Sequence, residues 1–185
     1  MEKRVKYLGA LLAICSFIAN AEEMNDPLAT KQYGFGGSVN WYTTESKTAG
    51  QTTETYNAFS FNAGVAKLFN EGMFEAGPSI SYAHSKMRGL TNNTLSGGFY
   101  ADMNFLVCDK LYVGPGLSTG LSWNVYASRT YTSYYGQASG FAKYIFLENV
   151  AATARLAYKY DESIDAGTTT SENGIRFFAG LSVYM

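Results

Sequence analysis

Histidine, cysteine and proline are scarce in this chain of 185 residues, at one, two and three occurrences. The lone histidine, His84, argues against a zinc site, and no calcium-loop spacing occurs. Cys15 lies in a leader-like segment, which leaves Cys108 single, so no intrachain disulfide can form. Cys108 is expected on an inward face near a short turn, where it packs; a single exported cysteine could otherwise cross-link two chains. Charged residues make up only 16% of the chain, with no basic excess, which argues against nucleic acid as a partner. Beyond the first 21 residues no run is long and apolar enough for a membrane helix, which needs about 20 residues.

What is present begins with an export signal. Lys3, Arg4 and Lys6 form a basic head, the 11 residues from Leu8 to Ile18 an apolar centre, and Ala19-Asn20-Ala21 a small-x-small cleavage site. The expected division is therefore a signal peptide at 1–21 and one barrel domain at 22–185. Leu12-Ala13-Ile14-Cys15 fits a lipoprotein box poorly, because Ile14 is bulky where a small residue is needed. Cleavage after Ala21 leaves 164 residues with 11 Lys plus Arg against 14 Asp plus Glu, a net charge of −3. Glycine is frequent and aromatics reach 16%, as in a folded all-β chain.

The dominant pattern is strict alternation. Leu95, Gly97, Phe99, Ala101, Met103, Phe105 and Val107 share one face of a strand, and Ser96, Gly98, Tyr100, Asp102, Asn104, Leu106 and Cys108 the other. A carboxylate in mid-strand is foreign to a soluble core and ordinary in the lumen of a transmembrane barrel. The same period marks eight strands, at 33–43, 56–69, 73–84, 95–108, 111–126, 134–146, 150–160 and 175–185. Strand six is the least clean; Gly136, Ala138, Gly140, Ala142, Tyr144 and Phe146 are assigned outward, Gln137, Ser139 and Lys143 inward.

Connections alternate in length. Asn70-Glu71-Gly72, Asp109-Lys110 and Glu148-Asn149 are short, whereas 44–55, 85–94, 127–133 and 161–174 are longer and polar. Short turns at one rim and long loops at the other are the pattern of outer-membrane barrels, with the short turns periplasmic. A sheet in hydrocarbon cannot keep open edges, since each unpaired backbone group costs several kcal/mol. Closure follows, and the expected fold is an all-β, eight-stranded antiparallel transmembrane β-barrel with short periplasmic turns and longer extracellular loops. Trp41, Tyr82, Trp123, Tyr126, Tyr134 and Tyr158 would form one aromatic band, and Tyr33, Phe69, Phe74, Phe105, Tyr144 and Phe146 the other. Pro78 and Pro115, lacking a ladder donor, are read as marks of local bulges. Lys67 falls on the lipid face, either snorkelling at the rim or turned in by a bulge.

With these features the chain from Tyr33 to Met185 resembles the small bacterial outer-membrane β-barrel proteins, the porin-like and opacity-protein-like superfamily. The most family-like segment is the closing strand, Gly174-Ile175-Arg176-Phe177-Phe178-Ala179-Gly180-Leu181-Ser182-Val183-Tyr184-Met185. The resemblance implies an outward terminal aromatic read by the barrel assembly machinery; here Met185 stands there and Tyr184 precedes it. It also implies a Gram-negative outer-membrane location, with lipid and lipopolysaccharide as surroundings. It implies no shared activity.

Inward Glu75, Asp102, Asn104, Lys143, Arg155, Lys159 and Arg176 predict ion pairs across the lumen. Eight strands leave room for side chains or one small ligand, so a packed polar core is favoured over a porin-like channel for ions or small solutes. A lipid A-modifying enzyme would need His84 and Ser85 as base and nucleophile, with Glu45, Asp161 or Glu162 as orienters. Adjacent strand residues point to opposite faces, so that pair is badly placed. No catalytic, cofactor or metal residues are assigned. The loops, rich in Thr, Ser, Asn, Gly and Tyr, offer an adaptable surface for a host surface, a partner protein or a glycan. The expected role is structural or surface interaction, without catalysis.

Overall fold

The computed structural model describes residues 26–48, 51–87, 90–126, 129–165 and 168–185; at 41, 43–48, 51–57, 87, 90, 126, 129, 164, 165 and 168–170 it describes the backbone alone. The proposed leader and the rings of Trp41 and Tyr126 therefore lie outside the described side chains, as does the carboxylate of Glu45.

Nine strand segments follow one another: β1 (Tyr33–Thr48), β2 (Gln51–Phe69), β3 (Phe74–Met87), β4 (Leu90–Met103), β5 (Phe105–Cys108), β6 (Leu111–Tyr126), β7 (Arg129–Leu147), β8 (Val150–Asp165) and β9 (Thr168–Tyr184). β4 and β5 are two parts of one crossing interrupted at Asn104, so the ring has eight strands. The order is β4-β3-β2-β1-β9-β8-β7-β6-β5, and β4 pairs with β6 to close it. Every pairing is antiparallel. The seam between first and last strands is fastened where Tyr33 and Met185 exchange backbone hydrogen bonds, at 3.0 and 2.8 Å.

Alternation sorts the side chains as the period requires. Phe35, Phe61, Ile80, Leu95, Phe99, Leu117, Leu156, Phe177 and Leu181 are exposed on the outer face, while Glu75, Asp102, Asn104, Lys143, Lys159 and Arg176 are buried inside. Strand six faces as expected, with Tyr144 and Phe146 exposed and Lys143 buried. Large apolar side chains out and charges in is the reverse of a water-soluble domain. It is the arrangement of a barrel whose surroundings are hydrocarbon.

Three expectations change. The polar connections are not irregular loops: β1 and β2 stay paired out to Thr48 opposite Gln51, through a register shift between Ser46 and Lys47, and β8 and β9 stay in register out to Asp165 opposite Thr168. Threonine, serine and tyrosine suit a ladder, so the barrel wall continues past the apolar belt as polar hairpins. About 9–11 residues suffice for a tilted strand to cross, and β2 and β7 have 19 each. Cys108 is exposed rather than packed, because a register shift between Leu106 and Cys108 breaks the alternation at the turn.

The prolines make no bulge either. Gly64 pairs with Ser79 and Lys67 with Ala76, so the register is unbroken past Pro78. Asp102 with Gly116 and Phe105 with Val113 show the same past Pro115. In each case the missing ladder donor faces one neighbour and the preceding glycine makes room: a Cβ at Gly77 would strike the Val65 carbonyl oxygen, and one at Gly114 that of Met103. Lys67 accordingly stays on the outer face, its ammonium 5.5 Å from the centre of the Phe69 ring.

Candidate functional site

The lumen has two halves of different chemistry. At the short-turn rim, inward positions carry apolar groups. Leu68, Tyr112, Ile145, Ala151 and Tyr184 bury one another, with Leu106 packed against them. The segment before β1 completes this cluster. Residues 27–30 form a turn that carries Leu28 into the barrel mouth, where it is 0% exposed. The Leu28 amide donates to Asp26 Oδ1 at 2.8 Å and to the Tyr112 hydroxyl at 3.2 Å, and that hydroxyl donates to Asp26 Oδ1. Gly72, at φ 83°, lies so close that a Cβ there would stand 2.6 Å from Leu28 Cβ. Its conformation and the space it leaves both require glycine.

Directly above lies a layer of ion pairs. Lys143 Nζ sits 2.9 Å from Glu75 Oε1 and donates to Asn104 Oδ1 at 2.9 Å. Asn104 Nδ2 in turn donates to the Gly72 carbonyl at 2.9 Å, which ties the layer to the turn below. The Tyr184 hydroxyl donates to Glu75 Oε2 at 3.2 Å. Arg155 grips Asp102 with two nitrogens, one at 3.0 Å from Oδ1, and donates to Ser139 Oγ at 3.2 Å. Such a fork fixes geometry as well as charge. Phe141 packs between the two cations, each 5.2 Å from its ring centre.

The upper half is looser. Asp161 serves two cations, Lys159 at 2.7 Å and Arg176 at 3.4 Å. Lys159 lies 4.3 Å over the Tyr135 ring and Arg176 3.9 Å over Tyr42. Hydroxyls and amides line the rest: Ser96 and Ser122 are 2.8 Å apart, Thr94 donates to Asn124 at 2.7 Å, and Asn124 donates to Ser133 at 3.0 Å. Between these groups is a cavity of about 190 Å³. Its lining runs from Glu75 and Lys143 up to Ser163 and Glu172 and includes none of the apolar cluster. Several buried polar atoms around the upper lumen have no hydrogen-bond partner among the described residues, Asn62 Nδ2, Asn92 Oδ1 and Arg176 Nε among them.

All seven inward residues expected from the pattern are therefore in the lumen. Asp161, expected in a loop, is also there. The signal for it was the continuation Arg155, Ala157, Lys159, Asp161 at every second position. Tyr42 and Tyr135 belong to the site on the same ground. The residues expected of a hydrolase do not assemble. His84 is exposed and shares Asn93 Oδ1 with Tyr82, at 3.0 and 2.9 Å, whereas Ser85 is buried in the lumen wall. Glu162 accepts from Tyr160 at 3.1 Å on β8, four strands round the ring from β3. Tyr184, the penultimate aromatic, points inward, and Met185 takes the outward terminal place.

No family profile matches the sequence, and no curated protein matches it. Solved structures do. Neisserial surface protein A covers 82% of this chain and 97% of its own, at 15% identity and a TM-score of 0.59. The outer membrane protein OprG from Pseudomonas aeruginosa covers 84% and 96%, at 8% identity and a TM-score of 0.45. The outer membrane protease OmpT from Escherichia coli covers 88% and 99%, at 9% identity and a TM-score of 0.41. The likeness to Neisserial surface protein A is one of fold: this chain is a closed eight-stranded barrel of the small outer-membrane type.

Proposed function

We propose that the chain is a non-catalytic outer-membrane barrel that acts in envelope structure or in surface contact through its polar hairpins. The leader at 1–21 is removed after Ala21, and residues 22–185 insert with the short turns in the periplasm and the hairpins outside. Lipid and lipopolysaccharide surround the apolar belt; the assembly machinery handles insertion, with Met185 a weak terminal signal.

The observation that carries this reading is the lumen floor. A buried apolar cluster under a layer of paired charges opposes the passage of ions, because an ion crossing it would have to shed its water. The opposite facing of His84 and Ser85 argues against acyl-transfer chemistry at that pair, since a base must reach its nucleophile. The hairpins, rich in Thr, Ser and Tyr, supply contact area with adaptable hydrogen bonding.

The test is conductance of the folded, processed protein in planar bilayers. The expected result is silence; discrete steps would replace this reading with a narrow porin-like channel. In cells, exchanging the four polar hairpins for short turns should abolish the surface or envelope phenotype while leaving the barrel folded. An intact phenotype would remove the surface-contact role.

A further inference from the structure

We infer that the upper lumen is a binding cup, open to the outer side, for a compact uncharged polyhydroxylated ligand of monosaccharide size. This goes beyond surface contact through the hairpins and requires only the barrel and its orientation.

Charge comes first. The lining carries Lys143, Arg155, Lys159 and Arg176 against Glu75, Asp161 and Glu172, and Asp102 completes the Arg155 fork. Four cations face four carboxylates, so the cup has no net field to favour an ion of either sign.

Hydrogen bonding narrows the class. The lining offers Lys159 and Arg176 as donors and Asp161 as an acceptor, with Ser60, Asn62, Ser81 and Asn92 able to do both. Asn92 is 93% buried and Arg176 91%. An anion could answer the donors alone and an ammonium group the acceptor alone. A hydroxyl both donates and accepts, so a molecule with several hydroxyls answers both kinds.

Size and access set the limits. A volume of about 190 Å³ is below the roughly 300–1,000 Å³ of pockets for drug-sized ligands. The apolar cluster fills the opposite end of the lumen, so the inferred entry is from the hairpin side. The ligand is either a free sugar or the terminal sugar of a chain whose remainder stays outside.

The experiment is saturation-transfer NMR on the full processed chain in phosphocholine nanodiscs, with no sugar-headed detergent present. The probes are D-glucose, maltotriose, glucuronate and glucosamine. D-glucose should show a saturable signal in the millimolar range, with glucuronate and glucosamine at least tenfold weaker. Saturation by maltotriose at the same concentration assigns a chain-terminal sugar; saturation by glucose alone assigns a free one. Asn92→Leu and the near-isosteric Asn62→Asp should each weaken glucose at least fivefold, in protein that keeps the gel migration of the folded barrel. Absence of a saturable glucose signal from folded wild-type protein would overturn the inference. So would stronger binding of either charged sugar, or glucose binding unchanged in both variants. Bilayer silence with no glucose binding would leave the proposed function standing and remove the cup alone.

Discussion

The two halves of the lumen are built from the same alternating strands, yet one is finished and the other is not. In the lower half Lys143 and Arg155 each have a carboxylate and a further oxygen within hydrogen-bond reach. An apolar cluster packs beneath them. In the upper half Asp161 is divided between two cations, and Arg176 Nε has no partner among the described residues. Sharing of a carboxylate, not burial, makes the contrast: the Arg155 side chain is 17% exposed, those of Lys159 and Arg176 8% and 10%. A buried cation with its own carboxylate is closely matched, whereas two cations on one carboxylate leave hydrogen bonds for solvent or a ligand.

The comparison can be broken most directly at its charges. Asp102→Ala strands Arg155 and should cost about 3–5 kcal/mol, read from urea unfolding in lipid vesicles. On the outer face, Leu117→Arg should cost about 2–4 kcal/mol near the midplane, with Ser118→Arg milder because Ser118 borders the cavity. Equal damage at 117 and 118 would contradict the wet upper lumen. Leu28→Ala removes the key of the apolar floor and should cost about 2 kcal/mol; protease protection of the segment before β1 should fall with it. Asp161→Ala in the upper half should cost about 1–2 kcal/mol, and a loss matching that of Asp102→Ala would erase the distinction between the halves. His84→Ala, outside both, should stay within about 0.5 kcal/mol, and lipid A analysed by mass spectrometry after overexpression should be identical with and without the substitution.

The barrel was legible because hydrocarbon outside and polar groups inside impose a period of two on every crossing. That is why Leu95 to Val107 alone pointed to the architecture, and why the lower ion-pair residues could be named from sequence. Three things escaped the pattern for separate reasons. Asp161 lies where the alternation persists but both faces are polar, so strand and loop read alike. Cys108 follows a register shift, which reverses facing without any mark in composition. Leu28 belongs to a short turn with no period, and its burial depends on distant partners such as Tyr112 and Gly72. No local signal identifies such a segment.

The seating of Leu28 has a consequence for biogenesis. The plug comes from the segment before β1, but its socket is assembled from β2, β6, β7, β8 and the last residues of β9. No socket exists until the final strand has zipped against the first. Long-range closures of this kind come late, because chain entropy must be overcome before their contacts form. A barrel caught midway through insertion would thus still be unstoppered, and locking of the amino-terminal turn would be the event that marks completion.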